Sequence, residues 1–266
     1  MWQRIRMGWG ASRTGPWFQG SPTARIDQAL LDRLGLAGPT HGVHPGFLPH
    51  TIYMTSTTPS SRAAEPLILG ILGGVAAGKT RVGMRLAGPA GCLIQADAIA
   101  QEALDRPRLA PLLVEAFGHD VLDGDGKVRR EIIAKQVFGD PALRETLEGW
   151  IHPRVRARIG EALIEAQTAG AEPIVLDVPL LLENDGEHGL ASRCRYLVFV
   201  DTPAALRQER ATRQRGWPAD EVSRREATQI PLSHKRERAD FVVANDGSDH
   251  DLDNAVDQLR AQLGLT

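Results

Sequence analysis

The chain has 266 residues, enough for one large domain or a domain with insertions, and long enough to bury a substantial core. Its 42% hydrophobic and 24% charged residues are ordinary for a globular protein in water, and a formal charge of -2 argues against nucleic acid or an anionic membrane as main partner. No apolar run approaches the roughly 18–20 residues of a transmembrane helix, and the two cysteines, Cys92 and Cys194, lack ligand spacing and are expected to be buried, reduced thiols in a cytoplasmic setting.

Residues 1–66 differ from the rest. They hold Trp2, Trp9 and Trp17, several arginines and prolines, and few acids. Only Gln28–Leu36 has helical periodicity, and TSTTPSSRAAEP (55–66) reads as a flexible linker. An arginine-rich, acid-poor start can be a targeting peptide. The alternative is a disordered extension from a start placed too far upstream, with Met54 the natural one. The second reading is favoured because a folded unit begins abruptly at Leu67, and no function is assigned to the segment.

From Leu67 onward, short apolar runs alternate with amphipathic stretches. LILGIL (67–72), CLIQAD (92–97), IVLDV (174–178), YLVFVD (196–201) and FVVAN (241–245) are predicted to be buried parallel strands. Helical patterns lie between and after them, as at Pro203–Arg213 and Leu252–Leu263. This alternation predicts a doubly wound α/β fold, a three-layer sandwich on a five-stranded parallel sheet. The gap from Ile99 to Pro173 is too long for one crossover helix and predicts a helical insertion, at about 105–170.

The strongest local signal is GGVAAGKT, Gly73 to Thr80, which satisfies G-x-x-x-x-G-K-[ST] directly after a strand and before a helical pattern. Glycines let the backbone curl so that successive N–H groups of Gly74, Val75, Ala76, Ala77, Gly78, Lys79, Thr80 and Arg81 can face phosphates. The following helix adds its positive N-terminal end. Lys79 can reach the β- and γ-phosphates, and the Thr80 hydroxyl can join a Mg²⁺ shell. The loop is therefore read as an ATP site of a P-loop NTPase.

Asp97 ends the second predicted strand, where ligands of such sheets gather. It can accept a proton from an attacking hydroxyl and help order Mg²⁺, or simply cap the helix Ala98–Leu104. Asp177 ends the third strand and resembles a Walker B carboxylate, or is a turn residue before Pro179. The stretch Ala205–Arg238 is crowded with arginine and predicts a lid at about 207–238, most of its charges solvated. Arg210 and Arg213, three apart on one helical face, are the pair expected to reach the transferring phosphoryl.

Taken together, these pieces resemble the dephospho-CoA kinase family. The resemblance runs from about Leu67 to Leu263 and is carried by GGVAAGKT, QAD with Asp97, GKVRREIIAKQVF, LEGWIHPRV, LDVPLLLEN, RQERATR, RREATQ and RADFVVAN, in the family's order. It implies transfer of the ATP γ-phosphoryl to the ribose 3′-hydroxyl of dephospho-CoA, with Mg²⁺, by a chain expected to be monomeric. It implies that Asp97 is the general base, and that Lys79 and a lid arginine stabilise the phosphoryl in flight. Arg130 and His152 fall at positions that the family places on the acceptor side, although His152 also reads as a packed histidine before a helix-starting Pro153. Asn245 borders the adenine pocket or closes the last strand. Three departures stand out: Gln95 replaces the first aspartate of the family's D-A-D, Arg129 stands where an acid is common, and Ala76–Ala77 replaces G-S. The last is tolerable if neither position requires positive φ.

Overall fold

The computed structural model describes residues 66–265. The readings of the amino-terminal segment lie outside the described residues.

Five strands, β1 (Ile68–Gly73), β2 (Cys92–Gln95), β3 (Ile174–Asp177), β4 (Tyr196–Asp201) and β5 (Phe241–Ala244), form one parallel sheet in the order β2-β3-β1-β4-β5. The five predicted runs are these strands. The second was drawn too long: after Gln95 the chain turns at once into helix, because alanine favours that state and an acid in the first turn complements the helix dipole.

Successive strand residues face opposite sides of the sheet. Ile68 and Leu72 of β1, Ile174 and Leu176 of β3 and Phe199 of β4 join one core. Leu69 and Ile71, Val175, and Val198 and Val200 join the other. Parallel strands buried on both faces explain why every strand reads as continuously apolar.

The second face is covered by α1 (Lys79–Ala87), through Val82 and Leu86, and by α10 (Asp249–Gln262), through Leu252, Val256 and Leu259. Ser248 and Asp251 close a capping box at the start of α10. The first face is covered by α2 (Ala96–Leu104) and by three helices within the stretch 105–170, α3 (Ala110–Phe117), α4 (Arg130–Gly139) and α5 (Pro141–Thr168). Asp140 caps α5 by accepting from the N–H groups of Ala142 and Leu143. Apolar residues then recur every fourth position, at Leu147, Ile151, Val155, Ile159 and Leu163, and supply the buried stripe. Pro153 does not start this helix but lies inside it. It is exposed, so the hydrogen bond that its missing N–H removes lies on the water side.

After β3 comes the short α6 (Asp185–His188), and after β4 the helices α7 (Ala204–Arg215), α8 (Glu221–Glu226) and α9 (Leu232–Glu237), which span the stretch expected to form a lid. A third, small core joins it to the loop after β1: Val75 and Ala76 pack with Ala211, Trp217 and Val222. The Arg225 guanidinium covers the Trp217 ring at 3.9 Å.

Both cysteines are free and half-buried rather than buried, Cys92 at the first position of β2 and Cys194 in the turn before β4. Burial still pushes the Cys194 thiol up to about 12, and it donates to the Leu190 carbonyl. Among the described residues no helix is long and apolar enough to cross a membrane.

Gly91 closes the turn into β2 where a Cβ would press on the backbone carbonyls of Ala87 and Pro173. Neither backbone atom can move cheaply. Gly91→Ala is expected to lower stability by about 1–3 kcal/mol, read as a fall of several degrees in Tm; an unchanged Tm would show that the turn has slack.

Candidate active site

The loop from Gly73 to Lys79 leaves the central strand and enters α1. Because β1 lies between β3 and β4, this loop opens where crossovers leave the sheet in opposite directions, the place at which open α/β sheets bind ligands. Its backbone is closed by a turn in which the Ala77 N–H donates to the Gly74 carbonyl at 3.3 Å. Ala76, third residue of that turn, lies at φ 60. The position favours glycine, and alanine there costs about 1–2 kcal/mol. The condition under which Ala76–Ala77 could replace G-S without strain is therefore not met at Ala76, because the turn cannot close otherwise.

Gly78, at φ 85, precedes α1, and a Cβ there would run into the Asn245 amide. Asn245 is 3% exposed and donates from Nδ2 to the Ala77 carbonyl at 2.8 Å. Thr202 Oγ1 donates to the same carbonyl at 3.0 Å. Asn245 thus braces the loop from behind, in addition to ending β5. On the amino side, the Val75 N–H donates to Glu226 Oε1 at 2.8 Å, and the buried Arg207 pairs with that carboxylate.

A cleft over the loop is lined by Ala76, Ala77, Gly78, Lys79, Thr80, Arg81, Asp177, Arg210, Gln214 and Asn245, among others. Most of the sequence-predicted ATP residues meet here; Gly74 and Val75 do not line this cleft, and Val75 lines the next one. Lys79 folds back, Nζ donating to the carbonyls of Gly73 at 3.0 Å and Gly74 at 2.8 Å. Arg81 pairs with Asp249. Arg210 donates to the Asn245 carbonyl at 3.0 Å, and burial, with Arg81 nearby, draws its pKa below the usual arginine range. Arg213 does not join them. Its side chain is 76% exposed and meets Glu209. On α7 the residues that line the cleft with Arg210 are Gln214 and Arg215; Gln214, four residues on, lies nearer the Arg210 face than Arg213 does, because a turn takes about 3.6 residues.

Thr80 Oγ1 donates to Asp177 Oδ2 at 2.5 Å. Asp177 is 6% exposed, and among the described residues its Oδ1 has no hydrogen-bond partner. A buried carboxylate oxygen left unpaired beside a threonine hydroxyl suits a hard cation. The sequence offered Thr80 with Asp97 for Mg²⁺ and Asp177 as a Walker B-like carboxylate; the carboxylate that Thr80 meets in the structure is Asp177. Asp97 lies in the first turn of α2, half-buried, and lines neither this cleft nor the next. It follows Gln95 by two residues, and Gln95 is the register partner of Asp177.

Arg130 reaches the same helix, pairing with Asp105 and donating to Gln101 at 3.4 Å. Asp97 and Gln101 lie four apart on one face of α2, and Asp105, four further on, ends the helix. His152, on α5, is held neutral: burial first, then Arg156, brings its pKa down to about 4. A second cleft shares Lys79 and is walled by Val178, Pro179, Leu180, Glu183, Gln229 and Lys235, among others. There Lys235 and Glu183 form a buried ion pair at 2.7 Å. Leu180 lies at φ 54, a strained setting for a bulky residue. These residues were missed as site members, although LLLEN and RREATQ contain Glu183 and Gln229.

The family model for dephospho-CoA kinase matches residues 67–251, well over half of the chain. The chain belongs to the dephospho-CoA kinase family. Relatives named dephospho-CoA kinase include one from Thermobifida fusca, 35% identical over 199 residues, covering 74% of this chain and 96% of that protein. One from Deinococcus radiodurans is 36% identical over 214 residues, covering 80% and 100%. A crystal structure from Thermus thermophilus has 32% identity and a TM-score of 0.59, over 75% of this chain and 98% of that one. The dephospho-CoA kinase structure from Campylobacter jejuni, at 23% identity and TM-score 0.55 over 75% and 98%, shares the fold.

Two outcomes follow from this geometry. Asp177→Asn keeps an acceptor for Thr80 but removes the charge, and is expected to weaken Mg²⁺-dependent nucleotide binding at least about ten-fold with Tm nearly unchanged. Titrations with and without Mg²⁺ check this, and equal affinities for variant and parent would remove Asp177 from the metal site.

His152 and Glu148 shape acid stability in opposite senses. The depressed His152 pKa means that the unfolded chain takes up its proton first, so stability falls as pH drops from 6.5 toward 4. Burial raises Glu148 to about 7, so its contribution falls as pH rises from 4.5 through 7. Relative to the parent, His152→Gln should gain stability progressively between pH 6.5 and 4.5 in urea titrations; a pH-independent difference would contradict the assignment.

Proposed function

We propose that this chain transfers the γ-phosphoryl of ATP to the ribose 3′-hydroxyl of dephospho-CoA, giving ADP and coenzyme A. The observation that carries the reading is the braced phosphate loop with the Thr80–Asp177 pair beside it, in a chain of this family.

Lys79 exchanges the loop carbonyls of Gly73 and Gly74 for the β- and γ-phosphates, a short swing of a side chain already at the loop. Backbone N–H groups of Ala76 to Thr80 and the α1 dipole add fixed positive charge. Arg210, at the cleft wall, meets charge on the transferring group; Arg213 serves the outer lid surface instead. Thr80 would hold Mg²⁺ directly and Asp177 through its free oxygen, supplying neutralisation of phosphate charge.

Asp97 takes the proton of the 3′-hydroxyl as the new P–O bond forms in line with the departing ADP oxygen. Its support is its place in the first turn of α2, two residues beyond the strand position beside Asp177. Arg130, one helix face further along, offers a fork for an acceptor phosphate once it leaves Asp105. His152, uncharged at neutral pH, would act there as a hydrogen-bonding group and not as a cation. The insertion, 105–170, and the lid, 207–238, would close over acceptor and donor and keep water out.

The test is product identification from Mg·ATP and dephospho-CoA, comparing the parent with Asp97→Asn. Coenzyme A formation is expected to fall about 10²–10⁴-fold in the variant while Mg·ATP still binds. Folded, ATP-binding parent protein that makes no coenzyme A would refute the acceptor. Full turnover by Asp97→Asn would refute the base.

A further inference from the structure

Ala76 is strained, and both of its neighbours are held. On one side the Val75 N–H donates to Glu226 Oε1, which also receives the Arg207 guanidinium. On the other, the Ala77 carbonyl accepts from Thr202 Oγ1 and Asn245 Nδ2. Arg207, 5% exposed, ties the two sides together, since its Nε donates to the Thr202 carbonyl at 3.0 Å. The side chains of Val75 and Ala76 pack on Ala211, Trp217 and Val222 of the lid region. Gly74 leaves room for this arrangement, because a Cβ there would strike Arg207 and Glu226.

We propose that Glu226, oriented by Arg207, is a positioning residue for ATP: it holds the Val75 N–H and so keeps Ala76 in the left-handed turn that shapes the phosphate loop. Glycine adopts that turn unaided, whereas alanine needs an external hold. A carboxylate behind a phosphate loop would repel a triphosphate, and the paired guanidinium cancels that charge. The same contact makes loop shape depend on the seating of α8, so lid and nucleotide loop move as one.

This inference rests on the loop's being the ATP site. The experiment measures Mg·ATP affinity directly, alongside KM and kcat, in the full chain. Glu226→Ala is expected to weaken Mg·ATP binding about ten-fold, with the effect in KM more than kcat. Glu226→Gln, which still accepts from Val75, should restore most of it. The deciding variant combines Glu226→Ala with Ala76→Gly, and its affinity should lie within about two-fold of Ala76→Gly alone. The same loss in both backgrounds, or no loss in Glu226→Ala while the parent binds normally, overturns the proposal. A parent that binds no Mg·ATP overturns the ATP site itself. If Glu226→Ala does not fold, Arg207→Gln makes the same comparison: a loss suppressed by Ala76→Gly supports the proposal, and an unsuppressed one overturns it.

Discussion

A loop that aims its N–H groups at open space must find partners for its carbonyls elsewhere, or it collapses onto itself. Here the Ala77 carbonyl is the fixed point, held by Thr202 from the end of β4 and by Asn245 from the end of β5. Sheet order makes this possible: β4 pairs with β1 and β5 with β4, so both partners arrive on the same flank of the loop. The opposite flank belongs to β3, whose last residue, Asp177, meets Thr80. Donor chemistry is thus assembled from the carboxyl ends of neighbouring strands, each placed by backbone pairing and each with a distinct task.

The charged residues of the lid region divide by burial. Arg207 and Arg225 are inside: one pairs with Glu226, the other with Glu221 over the Trp217 ring. Removing one member of such a buried pair would strand its partner, so these arginines maintain architecture. Arg213 and Arg224 are exposed and carry little weight in either fold or site. Arg210 is intermediate, partly desolvated and beside another cation, the setting in which an arginine gains most from meeting an anion.

Sequence made the sheet legible because parallel strands buried on both faces leave unbroken apolar runs, as at Ile174–Asp177. The phosphate loop was legible because its motif fixes residue types at set spacings within eight consecutive positions. Legibility ended where geometry depends on distant residues. Val75 and Glu226 are 151 positions apart, and nothing local marks their contact. Asp177 reads as either a turn or a Walker B-like residue in the sequence, and its contact with Thr80 is visible only in the fold. Arg213, expected beside Arg210, lies outside the cleft that Gln214 and Arg215 line, which reflects how coarsely periodicity resolves neighbours on one turn. Pro153 suggested a helix start, yet the apolar stripe of α5 continues through it and tertiary packing overrides the local signal.

Asn245 stands 168 positions after the carbonyl it braces. During synthesis the loop's own residues emerge well before their strap. Until β5 docks, the Ala77 carbonyl lacks a buried partner and Gly78 lacks the Asn245 amide behind it. A nascent or prematurely terminated chain therefore carries the phosphate-loop sequence without its finished shape, and competence to hold nucleotide arrives only with completion of the last strand.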